Sequence, residues 1–142
     1  MAEAGVEFLS PDRARYLTEM AEQARAELGR WAGRPVDYDA TALQLLDEWI
    51  ERTVARNPRP PLRQVALWTA FLGEVFRRRY QGEWVLRRDR RHNLAVLCPT
   101  RSGDLHPVEV AKQVWRRIQG GFAESLALFY AREGAVLMRR RE

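Results

Sequence analysis

Apolar residues recur at helical spacing through the first part of the chain. Leu17, Met20, Ala21, Ala24, Leu28 and Trp31 fall on one face of a 3.6-residue repeat. Ser10-Pro11 starts this helix well, with a hydroxyl cap and then a proline where no N–H is needed. Gly29 and Gly33 end it. A second stripe, Ala42, Leu45, Leu46, Trp49, Ile50, Thr53 and Val54, follows the cap residue Asp39 and stops at Asn57-Pro58. Arg59-Pro60-Pro61 is a short, stiff connector. The third stripe, Val65, Trp68, Phe71, Leu72, Val75 and Phe76, predicts a helix from about Pro61 to Tyr80. Ala66, Ala70 and Gly73 form a small-residue strip beside it, which would let another backbone approach closely and makes this the central helix. Arg63, Glu74 and Arg78 fall on the opposite, polar side. There Glu74 reads as an exposed acid paired with Arg78 at i+4, worth roughly 0.2–0.5 kcal/mol.

The period then changes. Glu83-Trp84-Val85-Leu86 and Leu94-Ala95-Val96-Leu97 read as short strands joined through Asp89-Arg90-Arg91-His92, a loop too polar for a core. Asp104-Leu105-His106, after a Ser102-Gly103 turn, fits a third short strand. Pro107 opens a fourth helix carrying Val110, Ala111, Val114, Trp115 and Ile118, with Gly120-Gly121 as its stop. A fifth helix follows, with Phe122, Leu126, Phe129 and Tyr130 apolar and Gly134 as its breaker. The ends, 1–9 and 135–142, are expected to fray. Together these elements predict an α+β, mainly helical single domain over residues 1–142, with a small antiparallel hairpin or meander between helices three and four.

Composition narrows the class. A chain of 142 residues that is 46% hydrophobic can bury a core. One cysteine, Cys98, excludes an internal disulfide; lying in an apolar run, it reads as a small buried hydrophobe. Acid at the N-terminus and no apolar run near the roughly 20 residues of a membrane span point to a cytoplasmic protein that does not meet a membrane. Charge is uneven. Residues 1–57 hold seven arginines against eleven acids, and residues 58–142 hold seventeen basic residues against eight acids. A basic half suits an acidic protein or a nucleic acid, and a merely solvated surface is the plainer reading. All but one of the 24 basic residues are arginine; the exception is Lys112.

Little points to catalysis. Ser102, Asp104 and His106 suggest a triad, but alternate strand residues sit about 6.6 Å apart. The Asp would then stand between nucleophile and base, where a triad cannot work. Cys98, His92 and His106 make no metal-ligand spacing, and no glycine loop for phosphate is present, so no metal or cofactor is expected. Glu74, Trp84 and Lys112 could surround a ligand cleft, provided the fold brings them together.

Gly73-Glu74, Glu83-Trp84-Val85, the hairpin, Pro107, Lys112 and Gly120 together resemble an uncharacterised bacterial domain family over roughly residues 62–122. Its pattern is a Gly-Glu helix, a Trp-Val strand, and a proline before a helix with a Lys-Arg pair. Here Gln113 follows Lys112, and the arginine pair comes later as Arg116-Arg117. The resemblance implies no known activity. Similar small domains near toxin–immunity or secretion loci imply a protein-binding role.

The sequence therefore predicts a non-enzymatic protein-interaction module. Its basic surface, Arg87, Arg88, Arg90 and Arg91 on the hairpin with Arg116 and Arg117 on the fourth helix, would meet an acidic partner. Nucleic acid is the alternative for the same surface, because single-stranded sites mix cations with aromatic rings.

Overall fold

Ser10 accepts a hydrogen bond from Arg13 N at 3.3 Å and starts α1, Pro11–Ala32. Asp39 accepts from Ala42 N at 2.9 Å and starts α2, Ala40–Arg56. Both caps satisfy N–H groups that a helix start leaves unpaired. The central helix α3, Leu62–Tyr80, buries every residue from Leu67 to Phe76. It ends where Gln81 turns left-handed, at φ 55°. The computed structural model of the chain describes residues 5–139, and its fold is α+β and mainly helical.

The sheet is a four-stranded antiparallel meander, with β1 (Val6–Phe8), β2 (Glu83–Arg87), β3 (Leu94–Pro99) and β4 (Leu105–Val108) side by side in chain order. Over residues 6–8, β1 departs from the expected fraying: Val6 pairs with Arg87 and Phe8 with Val85. Three residues are too few to show a period. Residues 1–4 and 140–142, including the end of the predicted frayed tail, lie outside the described residues.

Two further helices follow, α4 (Val110–Gly120) and α5 (Leu126–Met138), joined by a short 3-10 turn at Gly121–Glu124. Three local expectations fail here for identifiable reasons. Pro107 does not open α4. It pairs with Leu97 in β4, an edge strand, where a missing N–H is tolerated. Phe122 lies in the 3-10 turn and is exposed, outside α5. Gly134 does not break α5; a Cβ there would come within 2.6 Å of the Tyr80 hydroxyl, so the glycine makes room for a neighbouring helix.

Trp84, Val96, Cys98 and Val108 share one side of the sheet and join the main core with Leu43, Ile50, Trp68, Phe71 and Phe76. Each fully buried large side chain contributes roughly 1.5–3 kcal/mol. Val6, Val85, Ala95 and Leu97 form a smaller cluster on the other side. Among the described residues, no helix is long and apolar enough to cross a membrane.

Candidate functional site

Glu74 sits one residue beyond Gly73 on α3, and the pair has a single structural purpose. A Cβ on Gly73 would stand 1.9 Å from Cη2 of Trp84, so the glycine lets the indole lie against the helix. The indole Nε1 then donates to Glu74 Oε2 at 2.9 Å. Arg77 donates through Nε at 2.6 Å and Nη2 at 2.8 Å, and Arg78 through Nε at 3.2 Å. The Thr18 hydroxyl of α1 adds a longer bond at 3.4 Å. Glu74 is 0% exposed, which corrects its placement on an open polar side. Glu74 lies away from the main apolar face of α3, but α1 and Trp84 cover that side. Burial pushes the Glu74 pKa up, yet the hydrogen bonds from Arg77 and Trp84 and the charge of Arg77 outweigh it and hold it below the ordinary carboxylate value. An ionised carboxylate with both oxygens bonded fastens β2 and α1 to α3, and has no free position from which to act as a base.

Lys112 is not part of this cluster. The hollow of about 280 Å³ beside Trp84 is lined by Leu9, Thr18 and Arg77, whereas Lys112 lines a separate cleft against α5. The fold therefore unites Glu74 with Trp84 and leaves Lys112 elsewhere.

Arg117 also differs from its expected place on a partner-facing surface. It is 1% exposed. Its Nε donates to Asp47 Oδ1 at 2.9 Å, and its Nη2 to the Asp47 carbonyl at 2.7 Å. Glu51 approaches Nη1 at 3.1 Å, and the guanidinium carbon lies 4.5 Å from the Phe122 ring centre. The Asp47 carboxylate further accepts from Leu126 N at 2.8 Å, Ala127 N at 3.0 Å and Ser125 Oγ at 2.9 Å. It thereby serves as the anion at the start of α5, where unpaired N–H groups and the helix dipole favour negative charge. Sequence reading missed Asp47 because its partners stand 70 to 80 positions away.

The other basic residues expected to face a partner lie on the hairpin and on α4. Arg87 is half-buried, and its Nε is buried with no hydrogen-bond partner among the described residues. Arg88 faces Glu7 at 3.7 Å and Arg90 faces Glu109 at 3.6 Å, both longer than a hydrogen bond. Arg91 is exposed. His92 packs on Trp115 of α4, ring centres 5.1 Å apart, and ties the hairpin tip to that helix. Burial, then the neighbouring charge of Arg91, lowers the His92 pKa below 6.5, so the ring favours its neutral form. Lys112 and Arg116 are exposed one turn apart on α4. Arg132 of α5 joins them around a cleft of about 200 Å³ with Phe129 in its lining. Arg132 was missed; nothing in the sequence marks which α5 face meets α4.

The Ser102, Asp104 and His106 geometry forms no triad. Ser102 Oγ donates to Asp104 Oδ2 at 3.3 Å, while His106 Nε2 meets Glu133 of α5 at 3.0 Å. Among the described residues no group of three His, Cys, Asp or Glu is placed to hold a metal ion. Cys98 is fully buried, and burial, reinforced by Glu133, pushes its thiol up to about 12. A wider groove of about 650 Å³ between α1 and α3 is mostly apolar, lined by Leu9, Tyr16, Leu17, Met20 and Leu62.

The arrangement is thus a mainly helical α+β scaffold with two buried ionic clusters and exposed basic side chains on the hairpin and α4. Comparison with protein-family models, with curated proteins and with solved structures returned no match for the chain.

Proposed function

We propose that the chain is a non-enzymatic protein-interaction module, binding an acidic partner through the hairpin tip and the adjoining face of α4. The observation that supports this most directly is the tie between His92 and Trp115. It joins the hairpin tip to α4, the helix that carries Lys112 and Arg116, so exposed cations lie on two joined elements. Preorganised charge loses less side-chain freedom on binding, and arginines around aromatic rings are the residue types enriched where interfaces bind tightly.

Single-stranded nucleic acid is a second reading, favoured by the ring pair set among cations. Against it, Arg88 and Arg90 already face Glu7 and Glu109. Acids at those points weaken the field that a phosphate chain needs, while they suit a protein surface of mixed charge.

Fluorescence anisotropy separates the two, using a labelled acidic peptide and labelled oligonucleotides at low and physiological salt. Retention of the peptide, lost when Arg91 and Arg116 are reversed to Glu, is the expected result. Oligonucleotide binding that falls steeply with salt, with no peptide binding, would replace the protein reading with the nucleic-acid one.

A further inference from the structure

The cleft between α4 and α5 contains charges of both signs, and they are not equally engaged. Of its two acids, Glu133 meets His106 at 3.0 Å, while Glu109 faces Arg90 at 3.6 Å and its Oε1 is buried with no hydrogen-bond partner among the described residues. Its three cations, Lys112, Arg116 and Arg132, make no ion pair among the described residues. Lys112 and Arg116 come from α4 and Arg132 from α5, so they converge on one space from two helices. Phe129 and Pro107 supply apolar lining.

We infer that this cleft is the seat for a single carboxylate, an Asp or Glu side chain of the acidic partner, held by Lys112, Arg116 and Arg132. The inference rests on the protein-interaction reading and locates its anchor. Size supports one group rather than a free metabolite: about 200 Å³ lies below the roughly 300–1,000 Å³ typical of small-molecule sites. Composition supports an anion. Arginine presents a flat fork that fits a carboxylate, and lysine adds a compact charge from the next turn. Glu133 meets His106 and the Glu109 Oε1 is buried, whereas Lys112, Arg116 and Arg132 are exposed and face outward. In this arrangement the hairpin arginines steer the partner, and the cleft sets how long it stays.

The test compares two double variants that each remove two positive charges. One is R116A/R132A in the cleft; the other is R88A/R91A on the hairpin, which leaves Arg90 facing Glu109. All four side chains are exposed, so both proteins should fold. The probe is a fluorescein-labelled peptide of alternating Glu and Ser, with its Gln counterpart as control. The expected result is an affinity loss of about tenfold or more in the cleft variant, appearing in the off-rate, and a smaller loss in the hairpin variant, appearing in the on-rate. Equal losses in the two variants would overturn the cleft and leave the protein-interaction reading in place. No binding of the Glu peptide by the unaltered protein at low salt would overturn that reading itself. A phosphoserine peptide that binds more tightly than the Glu peptide, and is lost only in the cleft variant, would overturn the assignment to a carboxylate.

Discussion

Arg116 and Arg117 are neighbours on α4 with opposite fates. Arg116 is exposed and lines the α4–α5 cleft; Arg117 is 1% exposed and joined to Asp47. One step along a helix turns a side chain by about 100°, enough to move it from solvent to the core. The same residue type therefore does two jobs here. Buried, it fastens α2, α4 and the start of α5 together. Exposed, it stays available to something outside the chain. Glu74 on α3 belongs with Arg117, because it too is fully engaged inside the fold.

Breaking the buried member should have the largest effect. Arg117→Ala leaves Asp47 without its main counter-charge and should cost about 3–5 kcal/mol, as removal of one partner from a buried ion pair does. Asp47→Ala should cost a similar amount, since it also strips the N–H groups that begin α5. Arg116→Ala should stay within about 0.5 kcal/mol of the unaltered protein. Urea unfolding of the three variants measures the contrast, and equal losses for Arg116 and Arg117 would erase it.

Next comes the Glu74 cluster. Gly73→Ala forces a methyl group to within 1.9 Å of the Trp84 ring, and should cost about 1–3 kcal/mol by overpacking. The cost should shrink in a Gly73→Ala, Trp84→Ala double variant, because the clash is gone. Independent, additive losses from the two changes would show that the glycine serves some other contact.

A smaller effect should appear in acid. The Glu74 pKa is lower in the folded state than its ordinary value of 4.5, so the folded protein prefers the ionised form. The resulting stability is present above that ordinary value and is lost as pH falls through the lowered one. Glu22, drawn down to about 2 by hydrogen bonds from Arg25 and Tyr38, acts in the same direction, but it is exposed and its share is screened. Glu74→Gln should lower stability at neutral pH and flatten the decline between neutrality and acid. An unchanged slope in the variant would assign the acid sensitivity to other groups.

Much of the fold was legible because its elements carry local signals. The caps Ser10 and Asp39, the end of α3 near Tyr80 and the short apolar run of β3 all act within a few residues. The surroundings of the candidate residues were legible only in part. Arg88, Arg90, Arg91 and Arg116 are exposed, as their charge suggests. The burial of Glu74 and Arg117 could not be read, because a helical wheel gives the angle of a side chain and not what later covers it. Gly134 and Pro107 failed for a related reason: each suits an end or start of a helix locally, and a tertiary neighbour gave it another use.

The smallest effect bears on the link between the two regions. His92 joins the exposed hairpin tip to α4 by packing on Trp115, and its lowered pKa means that the packed ring prefers to be neutral. Stability from this contact is therefore present above the ordinary value of 6.5 and declines as pH falls through the lowered folded value. Mild acid should loosen the tip while leaving the Asp47–Arg117 cluster intact, which is seen as a change in NMR signals from residues 88–92 and Trp115 without global unfolding. His92→Phe keeps a ring and removes the titrating nitrogen, so the change should disappear. If instead the tip and the buried clusters respond together at one pH, the hairpin is an extension of the core, and the contrast between committed and available charge stops at Arg116.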